Sequence, residues 1–183
     1  MNNDGQEAGI SGGGAVRVNG GSASIINNTF ACNRSAYVGT GSPGLGGGAI
    51  FSTSTSTITN NIFYDNRAGS GWSVYTGTTL SYCDAYNPGQ SNTQANHYYS
   101  PGSVSGNMYY SDPSFLNAGY WNDNGTPNDW SDDTWVSGDY HLQSDSPCIG
   151  AGTNTGAPAD DIEGNPRPIN GTCEIGAYEY AGQ

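Results

Sequence analysis

The chain carries an internal repeat, and a repeat restricts the fold more than any isolated motif does. Gly46-Gly47-Gly48-Ala49-Ile50-Phe51 leads into Thr57-Ile58-Thr59-Asn60-Asn61-Ile62-Phe63-Tyr64-Asp65-Asn66-Arg67. Upstream, Gly12-Gly13-Gly14-Ala15-Val16 leads into Ser24-Ile25-Ile26-Asn27-Asn28-Thr29-Phe30-Ala31-Cys32-Asn33-Arg34. Both copies read as glycines, an apolar pair, then Ile-x-Asn-Asn-x-Phe-x-x-Asn-Arg. A fainter third copy runs Gly71-Trp72-Ser73-Val74-Tyr75 and Leu80-Ser81-Tyr82-Cys83-Asp84. Ile25 to Ile58 is a step of 33 residues, and Ile58 to Leu80 a step of 22. The longer step holds an extra loop, from Tyr37 to Leu45, so the underlying period is about 22 to 24. Repeats of about 20–50 residues indicate a solenoid or a propeller.

The repeated segments are short, rich in Ile, Thr, Phe and Tyr, and separated by Gly, Asn and Ser. That is the chemistry of strands and turns. No window places apolar residues at helical spacing. Gly and Asn tolerate the left-handed backbone of tight corners. The expectation is an all-β parallel β-helix of about three to four coils, each strand stacked on the one below. Asn33 and Asn66 then form a stacking ladder at a corner, with Arg34 and Arg67 following them and pointing outward. Ile58, Ile62 and Phe63 all read as buried, which breaks strict alternation; a bend near Asn60-Asn61 accounts for it.

Composition narrows the function. Of 183 residues only 34% are hydrophobic, while glycine supplies 29. A solenoid tolerates this, because each coil needs few inward side chains. There is no Lys, and the four Arg are Arg17, Arg34, Arg67 and Arg167; with sixteen acidic residues the net charge is −12. Such a balance argues against nucleic acid, whose binding rests on cations neutralising phosphates. It equally disfavours an anionic membrane surface, and no run has the length of a spanning helix. Met1-Asn2-Asn3-Asp4-Gly5 is not a secretory leader, so the reading expects a mature terminus from a longer precursor. A disulfide between Cys148 and Cys173 would close a loop of about 25 residues, worth roughly 3 kcal/mol. Cys32 and Cys83 are expected not to pair. An extracellular or cell-surface location follows.

In order, residues 1–11 read as a polar lead-in, 12–116 as coils with long loops, and 117–183 as an acidic, aromatic loop and closing segment. Residues 88–106 read as an irregular excursion. Five motifs then follow in sequence. They are Asp112-Pro113-Ser114-Phe115, Gly138-Asp139-Tyr140-His141-Leu142-Gln143, Ser146-Pro147-Cys148-Ile149-Gly150-Ala151-Gly152, Gly164-Asn165-Pro166-Arg167-Pro168 and Glu174-Ile175-Gly176-Ala177-Tyr178-Glu179-Tyr180. Together they resemble the C-terminal end of secreted bacterial right-handed parallel β-helix proteins, the choice-of-anchor-type segment of planctomycete-like bacteria. The resemblance covers roughly residues 12–181. It implies a right-handed helix, a capping segment and an extracellular setting, and no particular reaction.

Several stretches could carry chemistry. Asp123, Asn124, Asp129, Asp132 and Asp133 surround a Gly turn and offer the oxygen ligands that calcium prefers; the alternative is a solvated acidic loop. Trp121, Trp130, Trp135, Tyr99 and Tyr110 present the flat faces and polar edges that suit glycans; the alternative is that they cover the last coil. Sixteen acids make the two carboxylates of a glycosidase impossible to select by sequence. A lyase needs cations beside its base, and few are at hand. His141 reads as structural. The threonines of 53–59 read as an exposed strand. Coil one starts almost at once, with no amphipathic helix to cover it, so either upstream coils have been cut away or its strand edges are a template for another chain. Head-to-tail docking that does not close produces a filament. The resulting expectation is a non-catalytic structural, self-assembling or surface-display unit. A glycan-binding module or carbohydrate-active remnant is the alternative.

Overall fold

Short apolar triplets separated by Asn, Gly and Ser can make only short strands, and the fold is built from strands of that kind. The computed structural model describes residues 14–35, 47–68, 73–77, 79–99, 101–126 and 132–182. The described chain is all-β apart from one four-residue helix. Its first strands are β1 (Val16–Val18), β2 (Ser24–Ile26) and β3 (Thr29–Ala31). The second copy of the repeat supplies β4 (Ile50–Ser52), β5 (Thr57–Thr59) and β6 (Ile62–Tyr64). The third supplies β7 (Val74–Thr76), β8 (Thr79–Ser81) and β9 (Asp84–Tyr86). After helix α1 (Gln94–His97) come β10 (Tyr98–Tyr99) and β11 (Ser103–Ser105).

These strands form three parallel sheets, ordered β1-β4-β7-β10, β2-β5-β8-β11 and β3-β6-β9. The chain visits the sheets in rotation, once per copy of the repeat. Register is strict: Val16 pairs with Ile50, Ile50 with Val74 and Val74 with Tyr98. Ile25, Ile58, Leu80 and Val104 form a second column, and Phe30, Phe63 and Ala85 a third. Their inward side chains build one core around Ile50, Ile58, Phe63, Val74, Leu80 and Tyr98. The rings of Phe30 and Phe63 stack with centroids 5.4 Å apart.

Local chemistry explains the corners. A Cβ on Gly14 would lie 2.0 Å from the Gly48 carbonyl oxygen, so the glycine repeat marks a close backbone approach. Between the second and third sheets the chain turns through a left-handed residue in every circuit: Asn27 (φ 54°), Asn60 (φ 55°), Tyr82 (φ 50°) and Gly106 (φ 68°). Asn suits this position because its short polar side chain bonds locally. Here the Asn60 amide donates to Asn27 Oδ1 at 3.1 Å. At the next corner Asn33 donates both its backbone N–H (3.0 Å) and its side-chain amide (2.9 Å) to Asn66 Oδ1. Asn66 in turn donates to the Phe30 carbonyl at 2.8 Å.

Three readings of the sequence need correction. First, residues 88–106 are not an irregular excursion. They hold α1, β10 and β11, which extend two of the sheets by a fourth strand. His97 is fully buried there, with Nδ1 3.0 Å from Ser73 Oγ and Nε2 2.9 Å from Asn92 Oδ1. Second, the bend at Asn60 is real, but it is not why Ile62 and Phe63 are both buried. The strand alternates normally, and its outer face is covered too. Ile62 joins Phe115, Leu142, Cys148 and Ile175 in a second core outside the third sheet. Third, the expected boundary after residue 116 falls inside the closing segment. There β12 (Phe115–Asn117) pairs antiparallel with β15 (Asp139–Leu142), and β13 (Tyr120–Asn122) with β14 (Thr134–Val136).

The closing segment lies along the flank of the sheets. Asn27 Nδ2 donates to the Glu174 carbonyl at 3.0 Å, and Asn60 Nδ2 donates to that of Thr153 at 2.7 Å. The Gly176 N–H donates to the Asn60 carbonyl at 2.9 Å, and the Cys148 thiol to Asp84 Oδ2 at 3.4 Å. The expected Cys148–Cys173 disulfide is not formed. All four cysteines are free and buried, and the Cys148 thiol is directed to the Asp84 carboxylate instead. The extracellular reading therefore loses its disulfide argument. Among the described residues no helix is long and apolar enough to cross a membrane.

Candidate functional site

The hairpin β13–β14 folds over the third-sheet corner and encloses a mixed set of charged and aromatic side chains. A cleft of about 330 Å³ is lined by Arg34, Asp65, Arg67, Trp121, Asp123 and Asp133, with Tyr120 at its side. Each wall has a local cause. Arg34 and Arg67 follow the ladder asparagines, and their backbones form a parallel bridge. Asp65 occupies the left-handed turn before Asn66 (φ 46°). Trp121 and Trp135 face each other across the hairpin register. Their rings meet edge to face at 5.5 Å.

The cleft walls are tied together by hydrogen bonds and an ion pair. The Trp121 indole N–H donates to the Cys32 carbonyl at 2.8 Å, which fixes the ring. The Arg34 guanidinium lies over that ring, 4.7 Å from its centroid, and forms an ion pair with Asp133. Arg34 thus does not point freely outward; its side chain is 13% exposed against 59% for Arg67. Arg67 donates to both carboxylate oxygens of Asp65, at 3.1 and 3.3 Å. The Asp133 side chain is 4% exposed, and among the described residues its Oδ1 has no hydrogen-bond partner. Tyr120 is 55% exposed at the mouth.

Of the expected calcium ligands, Asp123 and Asp133 reach this cleft, while Asp129 lies outside the described residues. Asp132 is used locally: Thr126 Oγ1 sits 2.8 Å from its Oδ2, and the Asn124 amide donates to its backbone carbonyl. Asp123 Oδ1 accepts from the Gly125 N–H at 3.0 Å. Among the described residues no group of three or more His, Cys, Asp or Glu is placed to hold a metal ion. Two guanidiniums beside Asp65 and Asp133 also oppose a divalent cation electrostatically.

The expected glycan-binding aromatics do not share one surface. Trp121 and Trp135 are together, and Trp130 lies outside the described residues. Tyr99 stands on the outer face of the first sheet, in a column with Phe51 and Tyr75. Successive rings there stack at 5.1 and 5.0 Å, and Arg17 lies over Phe51 at 5.7 Å. Those stacked faces are occupied by one another. Tyr110 packs against His97 at 6.2 Å and borders the inner core. No family model, curated protein or solved structure matches this chain. The site must therefore be judged by its own chemistry.

A second groove, of about 550 Å³, runs past Leu116, Asp139, His141, Glu163, Asn165 and Tyr180. His141 Nδ1 lies 2.6 Å from Asp139 Oδ1, and Nε2 lies 3.1 Å from Glu163 Oε2. Its ring packs on Tyr178 at 4.1 Å. The Asp139 hydrogen bond raises the imidazole pKa and lowers that of the carboxyl. With both ring nitrogens engaged, this histidine clamps β15 to the closing loop and has no lone pair to offer a substrate. The sequence marks Glu163 only as part of a weak acidic cluster, Asp160 to Glu163, and its pairing with His141 is not legible there because the two lie 22 residues apart. The buried thiols offer no nucleophile either. Burial pushes Cys32 and Cys83 up to about 12.

Proposed function

We propose that the three sheets form a right-handed parallel β-solenoid of about four circuits, serving as a non-catalytic extracellular structural unit that assembles head to tail. One observation carries this reading: core columns run in register to strand edges at both ends of the described sheets. At one end stand β1, β2 and β3, with Val16, Ile25 and Phe30 only half-buried. At the other stand β10 and β11, where Val104, Met108 and Tyr110 are half-buried. The closing segment covers the flank, and β10 and β11 each pair on one side only. An edge of this kind is a template for further pairing. A second copy would continue the Val16, Ile25 and Ser24 columns from Tyr98, Val104 and Ser103. It would also set Arg17 over the exposed Tyr99 of its neighbour, repeating the cation–π contact that Arg17 makes with Phe51. The resemblance to choice-of-anchor-type β-helix proteins supports the surface setting, while the capping role it implies for the closing segment gives way to a place along the flank.

Head-to-tail contact is heterologous and does not close, so it must respond to blocking either end separately. Val104→Lys and Val16→Lys each place a charge on one edge. The unmodified chain should show a mass that rises with concentration in sedimentation. Each variant alone should stay monomeric, and their mixture should stop at dimers through the one intact edge of each. A wild-type chain that stays monomeric throughout refutes the assembly, and so does a mixture that gives no dimer.

A further inference from the structure

We propose that the cleft beneath β13–β14 is a binding site for a neutral saccharide, independent of any assembly. The argument begins with charge. Arg34 and Arg67 face Asp65, Asp123 and Asp133, so the lining is nearly balanced on a chain of net charge −12. A cation meets two guanidiniums there, and an anion meets three carboxylates. A neutral polyhydroxyl ligand meets neither penalty and can use both kinds of group, since its hydroxyls donate as well as accept.

Satisfaction of polar groups points the same way. The Asp133 side chain is almost completely buried and ion-paired through Oδ2 to Arg34, yet among the described residues its Oδ1 has no partner. A buried carboxylate oxygen without a donor is costly, and a ligand hydroxyl would satisfy it. The Arg67 fork is already engaged by Asp65, but the Arg67 side chain stays largely exposed beside that carboxylate, so the pair sets a guanidinium and an acceptor side by side for neighbouring hydroxyls. Tyr120 supplies an exposed aromatic surface for the apolar face of a sugar ring. The cavity of about 330 Å³ lies at the small end of the range for ligand sites, which limits the occupant to one or two sugar units. Trp121 is not the platform. Arg34 and Trp135 already occupy its surroundings, and its role is to anchor the wall.

Saturation-transfer NMR on the full chain tests this, using glucose, galactose, mannose and N-acetylglucosamine as neutral probes and glucuronate for contrast, with calcium chloride followed by shifts in the protein's own spectrum. The expected result is transfer to at least one neutral sugar, weakened roughly threefold to tenfold by Tyr120→Ala, as the loss of one aromatic contact implies. Tyr120 is exposed, so this variant should fold, and an unchanged melting curve checks that it does. Asp123→Asn provides a second, surface-level change that should also weaken binding. Silence from every neutral sugar refutes the proposal. So does transfer that both variants leave intact, or a response to glucuronate or calcium alone.

Discussion

Asn66 offers the most direct test of how the circuits are held together. Its side chain is fully buried. Oδ1 accepts two hydrogen bonds from Asn33, and Nδ2 serves the Phe30 carbonyl. Asn66→Ala would strand one backbone N–H and one backbone carbonyl in the corner. Each buried group left without a partner costs about 1–3 kcal/mol, so the expected loss is about 3 kcal/mol once partial relaxation is allowed for. Asn28 is the internal control. Its amide donates at the surface, to the Ile26 carbonyl and to Asn61 Oδ1, so Asn28→Ala should cost less than about 1 kcal/mol. Asn66→Asp separates the two halves of the side chain. It keeps the acceptor for Asn33 but turns a carboxylate oxygen toward the Phe30 carbonyl, so it should be destabilising at neutral pH and less so in acid. Urea unfolding followed by tryptophan fluorescence measures all three, with an unchanged denaturant slope for the alanine variants. Equal losses for Asn66→Ala and Asn28→Ala would refute the claim that the buried ladder, and not strand pairing alone, fixes the corner.

Other perturbations address the flank. Ile62→Ala removes the side chain linking the third sheet to the closing segment and should cost about 2–5 kcal/mol in the same urea assay. Gly176 has φ 107°, and a Cβ there would lie 2.7 Å from Ile62 Cδ1; Gly176→Ala should therefore lower stability by roughly 1–3 kcal/mol. Burial pushes Asp84 up to about 7, far above its unfolded value. A carboxyl raised in this way favours the fold when protonated. That contribution is complete below about pH 4 and is lost as pH rises through about 7. Melting temperature should thus fall between mildly acidic and mildly alkaline buffer, and Asp84→Asn should flatten the dependence; an equally steep variant would contradict the assignment. The raised His141 has the same sign, so the informative comparison is variant against wild type at each pH.

What could be read from the sequence was whatever recurs at a fixed step. The Ile25, Ile58 and Leu80 column, the Asn33–Asn66 pair and the bend at Asn60 all lie inside copies of one motif, and their register is arithmetic. The fourth strands were missed because their signal is diluted. Ser103-Val104-Ser105-Gly106-Asn107 echoes Ser24-Ile25-Ile26-Asn27-Asn28, but Gly replaces the corner Asn and Tyr98 replaces Val in the first column. The second core was visible only as a fault, two adjacent buried residues at Ile62 and Phe63, and a fault does not name what covers it. The cleft was harder still. Arg34 and Asp133 are 99 residues apart, and Asp84 and Cys148 are 64 apart. Neither pair shares a period, so only the folded flank brings them together. Choosing acidic and aromatic residues by type names Trp121, Asp123 and Asp133, as calcium ligands and a glycan platform, but does not show that they line one cleft with Arg67 and Asp65.

The placement of the closing segment changes what the stack can do. Layers that touch only their immediate neighbours have stabilities that add along the stack, and such a stack can open from either edge. Here one segment bonds to Asn27 from the first circuit, Asn60 from the second and Asp84 from the third. Opening the first circuit must therefore also release Glu174 and Gly176 from the flank, where Ile175 is packed in the second core with Ile62. Three layers are tied into one unit by contacts that cross them. The same arrangement leaves both strand edges uncovered by that segment, because a strap along the side seals neither end. It also leaves β13–β14 free to fold over the Arg34–Arg67 corner, which is how a chain with so few cations places two of them in one cleft. Flank, edges and cleft are thus three results of a single choice: the chain stops stacking after Tyr109 and turns back along the third sheet.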